Sequence, residues 1–377
     1  MGFIVIRPTE PQIIGRSVIS PKALKNTNFL CCTSKFHTTA NGIKFTVEGF
    51  PHSSQDAETI SCAENTIWAT MEYFSTKYSN YSPILPSRII QTLNNVSFER
   101  QIPSKGLNIN QMSFALKDFG FGPRIYSSHE YQSEFPSLLN CYIESGIPVI
   151  IAMENGNIGH ALLAIGHEQI TDTNIDALEP YFIPYPDLQA KAQNKNIVLY
   201  EYNLIKKDLI FIDDNRPIYQ RASIENPAIH YPNANWQSCK ITYFIAPLYP
   251  KIYLEAFEAK NYIIRYLISG PEPLDINSKI LLRFFLASSR SFKNEVAKNE
   301  TLQPELKGLL LEISMPKFIW VAEISTKTLI KQKKANGMVI LDATEANIYF
   351  NKPLIIAAYQ DKVINFDEKA NKLESNS

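Results

Sequence analysis

Cys62 stands where a polar, turn-like segment, Ser54 to Ser61, gives way to a helical apolar pattern. A thiol at a helix start meets the positive end of the macrodipole, which favours the nucleophilic thiolate. Far downstream, His160 opens the run His160-Ala161-Leu162-Leu163, and Asp213 and Asp214 close Leu209-Ile210-Phe211-Ile212. Thiol, imidazole and carboxylate, in that order, are the parts of an acyl-transfer site: a nucleophile, a base, and a group that orients the base. Asp213 is the expected orienting residue. Asp214 is the alternative and Asn215 a further rival; because strand side chains alternate, only one of Asp213 and Asp214 is expected to face His160. The developing oxyanion needs donors. The Cys62 N–H, in the first helical turn, has no intrahelical partner, and Gln55, seven residues upstream, offers its side-chain amide. Taken singly, each residue has an ordinary structural reading, such as a buried thiol or a turn carboxylate. The joint order and placement point to chemistry.

Those side chains need a helix and two strands. Ile67, Trp68, Met71, Phe74 and Tyr78 recur at helical intervals, predicting a helix from Cys62 to about Tyr78, with another from Pro86 to about Leu93. Met112, Ala115, Leu116 and Phe119 predict a helix over 111–119 closed by Gly120, and a further helix covers 134–145. The run Pro148 to Met153 and the stretch His160 to Gly166, joined by Glu154-Asn155-Gly156-Asn157, read as a hairpin. Strands are expected at 197–202, 208–212 and 241–248, and short β pieces at 3–7 and 43–48. Past residue 250 a helix at 252–268 and strand-forming stretches near 280–287, 316–324, 338–342 and 354–358 follow. The implied organisation is a domain over 1–250 with an insertion around 168–207, an accessory α+β or β-rich domain over 251–365, and a disordered tail over 366–377.

With 377 residues, 45% apolar and 20% charged, the chain is long enough for two cores. Thirty-seven basic residues balance 37 acidic ones, so no global field draws nucleic acid or an anionic membrane. Five cysteines without repeating spacing form neither a disulfide framework nor a zinc pattern, so no metal or cofactor is expected. Cys31, Cys32, Cys141 and Cys239 read as reduced, buried thiols. No apolar run reaches transmembrane length, and the N-terminal apolar run is too short for a secretory signal. A cytoplasmic location is the default expectation; a signal-less secreted effector has the same sequence signature.

Three stretches resemble a papain-like cysteine peptidase of the bacterial bacteriocin-processing (C39-like) type. They are Pro51 through Ala63, with its glutamine, loop and cysteine on a helix; Gly146 through Ala161, with the histidine hairpin; and Leu209 to Asp214. The likeness spans roughly residues 40–250. It implies an α+β, papain-like fold in which a helical half carrying Cys62 packs on an antiparallel, barrel-like sheet carrying His160 and Asp213. It also implies Cys62 as nucleophile, His160 as base, Asp213 as orienting residue and Gln55 as oxyanion donor. The gap from His160 to Asp213 is longer than a simple hairpin return and calls for an insertion. The Gln55-to-Cys62 spacing is one residue longer than in papain.

The expected activity is therefore a thiol hydrolase cleaving peptide or isopeptide bonds in a protein or peptide substrate. A transglutaminase or other acyltransferase would use the same triad, and a non-catalytic binding module would reuse the fold alone.

Overall fold

The computed structural model of the chain describes residues 1–6, 13–55, 61–96, 106–270, 274, 276, 278–348, 352–367 and 372–376. Nearly continuous apolar character makes Val149–Glu154 and the first part of Gly159–Glu168 strands that can be covered on both faces. They pair antiparallel with Met153 opposite His160. Around this hairpin a sheet runs in the order Gln220–Ala222, Leu209–Ile212, Gly159–Glu168, Val149–Glu154, Lys240–Leu248, Gly122–Ser127, with antiparallel neighbours throughout. Phe29–Cys31 adds to the far end of Gly159–Glu168. That approach demands glycine at 166, because a Cβ there would fall 1.9 Å from the Leu30 carbonyl oxygen.

Helix Cys62–Lys77 lies against this sheet. Ile67, Trp68, Met71 and Phe74 share one core with Ile150, Leu163, Ile165, Ile210 and Ile245. Each fully buried side chain of this size contributes roughly 1.5–3 kcal/mol, which fixes the helix on the strands that bear His160 and lead to Asp213. Helices Pro86–Asn94 and Ile109–Asp118 complete the same core through Ile89, Leu93, Met112, Ala115 and Leu116. A small antiparallel sheet, in the order Gly2–Phe3, Ser17–Ile19, Ile43–His52, Ser34–Ala40, ends at His52 close to the site. Of the β piece expected at 3–7, Gly2–Phe3 is strand and Arg7 lies outside the described residues.

The chain divides into two units: 1–135 with 146–169 and 207–250, and 136–145 with 170–206 and 251–377. The sequence alone placed 136–145 and 168–207 with the first domain. Backbone pairing explains the difference, since Val198–Glu201 runs parallel to Lys279–Leu282 as the last strand of the second unit's sheet. That seven-stranded sheet is otherwise antiparallel through Lys279–Ser288, Phe318–Ser325, Gly337–Asp342, Leu354–Tyr359, Lys362–Asp367 and Lys372–Asn376. The last of these strands falls in the segment expected as a disordered tail; ladder hydrogen bonds need no apolar run. Helices Ser289–Lys298, amphipathic but polar on average, and Pro304–Glu312, weakly periodic, are not among the expected elements. Within the unit, Lys260 and Glu201 form a buried ion pair at 2.9 Å, with Ser137 hydrogen-bonded to Glu201. The architecture is mixed α+β, with several antiparallel sheets. Among the described residues, no helix is long and apolar enough to cross a membrane.

Candidate active site

The Cys62 helix begins at the thiol. Glu64 accepts the Ser61 N–H at 3.2 Å and also the Ser61 hydroxyl, which ties down the turn at the helix N-terminus. Thr66 donates its hydroxyl to the Cys62 carbonyl at 2.6 Å and approaches the Ala161 carbonyl at 3.3 Å. The first helical turn and the His160 strand are thereby joined. Ala161 N–H points at the Cys62 sulfur from 3.4 Å, and the thiol is half-buried.

His160 is buried, 5% exposed, with Nε2 at 2.9 Å from Asp213 Oδ1. Cys62 is the second polar group that acts on the ring. With Nε2 engaged by the carboxylate, Nδ1 is the nitrogen left for the thiol. Burial works against a charged ring, but the hydrogen bonds and charges of Asp213 and Cys62 outweigh it and hold His160 well above its ordinary 6.5. Burial likewise pushes the Asp213 carboxyl up. Its bonds to His160, the Asn215 amide at 3.0 Å and the Tyr231 hydroxyl at 2.8 Å prevail, and Asp213 lies below the ordinary carboxylate value.

Strand alternation led to the expectation that only one of the two aspartates would face the ring. Both do. The strand ends at Ile212, so Asp213 and Asp214 sit in the following turn, where the period of two no longer applies. Asp214 Oδ1 is 3.7 Å from His160 Nε2, against 2.9 Å for Asp213 Oδ1, so Asp213 holds the hydrogen bond. Asp214 Oδ2 accepts from Asn65 Nδ2 at 3.2 Å. Burial pushes the Asp214 carboxyl up, His160 pulls it down, the Asp213 charge pushes it up again, and it reaches about 6 from 3.8. The His160 nitrogen and one oxygen of each aspartate lie within 4.8 Å of one another, a set of atom types able to hold a metal ion.

Gln55 is the expected oxyanion donor. Its Nε2 donates to Asn215 Oδ1, on the turn that carries the aspartates. Its neighbour Asp56 lies outside the described residues.

Four residues that spacing did not reveal complete the site. His52, at the end of its strand, reaches the carbonyls of Asp213 and Arg216 with Nε2, each at 3.2 Å, and pins the aspartate turn. Asn65, one helical turn beyond Cys62, reaches Ser53 and Asp214; a polar residue on the helix face that also carries the thiol was its only signal. Tyr231 and Trp236 stack at 4.4 Å and 9°, and Trp236 meets the His160 ring edge-on at 5.4 Å and 84°. Tyr231 lies outside regular structure and Trp236 in the four-residue helix Ala234–Gln237, too short for a period, so the sequence carried no cue to them.

Cys62 and His160 open onto a cleft of about 620 Å³. Met112 and Met153 give it apolar wall, while Asn108, Gln111 and Glu154 give it polar rim. Asn108 and Gln111 form a reciprocal capping box at 3.0 and 2.9 Å, which fixes the helix start bordering the cleft.

The position of Asp214 has a measurable consequence. A carboxyl whose folded value is raised takes up its proton more readily when folded. Its contribution to stability is full below pH 4 and is lost as the pH rises through about 6. Asp214→Asn is therefore expected to stabilise the protein at pH 7.5 by on the order of 2–3 kcal/mol and by about half as much at pH 5. Thermal unfolding at the two pH values checks this; an equal loss at both would show that the charged form is the favoured one.

Neither a scan of protein-family models nor a search of curated proteins returns a match to this chain.

Proposed function

We propose that the chain is a papain-like thiol hydrolase that cleaves peptide or isopeptide bonds through a Cys62 acyl-enzyme. The observation that carries this reading is His160, hydrogen-bonded to Asp213 and lining the same open cleft as Cys62. In the first step the Cys62 thiolate attacks the substrate carbonyl, and the His160 imidazolium gives its proton to the departing amine. Water then enters, His160 takes a proton from it, the hydroxide releases the acyl group, and the thiolate returns. Asp213 keeps the ring turned so that one nitrogen meets sulfur and then water, and stabilises its charge. The Cys62 N–H at the helix start is available to the oxyanion. A helix bearing the thiol, packed on an antiparallel sheet bearing the base, supports the papain-like assignment.

Differential alkylation tests the reading. Burial pushes Cys31 to about 12 and Cys32 to about 11, and it raises Cys141 and Cys239 as well. Iodoacetamide at pH 7.5, followed by peptide mass spectrometry, is expected to modify Cys62 well before the other four. Equal rates at Cys62 and Cys239 would remove the activated thiol from the proposal.

A further inference from the structure

We propose that His160, Asp213 and Asp214 form a binding site for a borderline divalent cation, with Zn²⁺ the best match, and that its occupancy switches the Cys62 site off. His160 Nε2 lies 2.9 Å from Asp213 Oδ1 and 3.7 Å from Asp214 Oδ1. A tetrahedral centre with bonds of about 2.0–2.1 Å sets its ligand atoms about 3.3 Å apart, between these two values. Small movements of side chains already in place would seat the ion.

Asp214 provides the independent sign of a ligand. Its side chain is 5% exposed and turned toward the ring, and its Oδ1 accepts no hydrogen bond among the described residues. A buried acceptor left in that state is unfavourable, and a cation would satisfy it. The outer oxygens are held in position by neutral donors: Tyr231 on Asp213 Oδ2 at 2.8 Å and Asn65 on Asp214 Oδ2 at 3.2 Å. Ligand carboxylates are steadied in this manner at metal centres. One imidazole nitrogen with two carboxylates suits Zn²⁺ better than Mg²⁺ or Ca²⁺, which favour all-oxygen shells. Two carboxylates and an imidazolium carry a net charge of −1; two carboxylates, a neutral imidazole and a divalent cation carry zero.

Binding exchanges one proton for the ion. The proton on Nε2 leaves to solvent, the nitrogen lone pair is donated to the metal, and both aspartates coordinate. With the ion on Nε2 and Asp213 drawn into its shell, the hydrogen bond that orients the ring is lost and the imidazole is held by the metal instead of serving the thiol. The switching clause rests on the hydrolase reading; the binding itself does not.

The test uses the full chain, stripped with chelator and titrated with Zn²⁺ in competition with a chromophoric chelator. One Zn²⁺ per chain is expected, with affinity unchanged in Cys62→Ala and lowered at least about tenfold in Asp214→Asn. Asn65→Ala, which keeps all three ligands and frees the Asp214 carboxylate to turn, is expected to give a smaller loss. Circular dichroism on each variant separates lost ligands from lost fold. If Cys62→Ala abolishes binding while Asp214→Asn retains it, the ion sits on the thiol–imidazole pair and the proposal is overturned. Absence of stoichiometric binding by the unmodified chain overturns it equally. Failure of the hydrolase reading would appear in alkylation performed with chelator present and would leave the Zn²⁺ isotherm unchanged.

Discussion

Cys62→Ala is expected to reduce hydrolysis of a responsive peptide ester or amide by at least about a thousandfold, because removing a nucleophile leaves only the contribution of binding and oxyanion donors. The substitution is mild for the fold. Cys62 is half-buried in the first turn of its helix, and alanine is the best helix former. Loss of rate with unchanged thermal unfolding would assign the effect to chemistry. Intact-mass analysis after exposure to a peptidyl vinyl sulfone gives a second readout, with one adduct on the natural chain and none on the variant. Undiminished turnover in Cys62→Ala would mean that bond cleavage, where it occurs, is carried by another group.

Asp213→Asn is expected to lower kcat by about 10²–10⁴-fold, through the ring rather than through direct contact with substrate. Asp213 accepts from His160, from the Asn215 amide and from the Tyr231 hydroxyl. An asparagine side chain has one acceptor oxygen and a donor in place of the second, so the Tyr231 hydroxyl would have to turn and accept where it now donates. The charge that helps hold His160 above 6.5 is lost with it. A histidine with a raised folded value contributes stability that is full below 6.5 and is lost as the pH rises through that folded value. The variant should therefore lose stability around neutral pH, and the alkaline limb of its kcat/KM profile should move to lower pH. A kcat drop without movement of that limb would assign the loss to packing around Tyr231 instead.

The elements that carry the site were largely legible. Helix Cys62–Lys77 begins at the residue expected of it, and the hairpin of Val149–Glu154 with Gly159–Glu168 follows the apolar runs and the intervening turn. Burial imposes those patterns directly on the sequence. The aspartate turn was legible in position but not in geometry, because alternation is a property of strands and the strand had ended. Tyr231, Trp236 and His52 were out of reach for another reason: each acts through a contact formed only when distant segments meet, and no local period encodes such a contact. The same holds for 170–206, whose allegiance to the second unit is decided by the strand Val198–Glu201 finding Lys279–Leu282.

That parallel pairing also bears on how the chain is made. Val198–Glu201 leaves the ribosome ahead of its partner, with the residues of the first unit through 250 emerging in between. At about 5–20 residues per second the strand waits roughly 4–16 s with its ladder edge unpaired. Translation stopped at residue 250 would leave that strand, together with 136–145, permanently without a sheet. The exposed edge would be a target for chaperones or aggregation, so the unit that carries the candidate site cannot be prepared cleanly by cutting the gene at the apparent boundary.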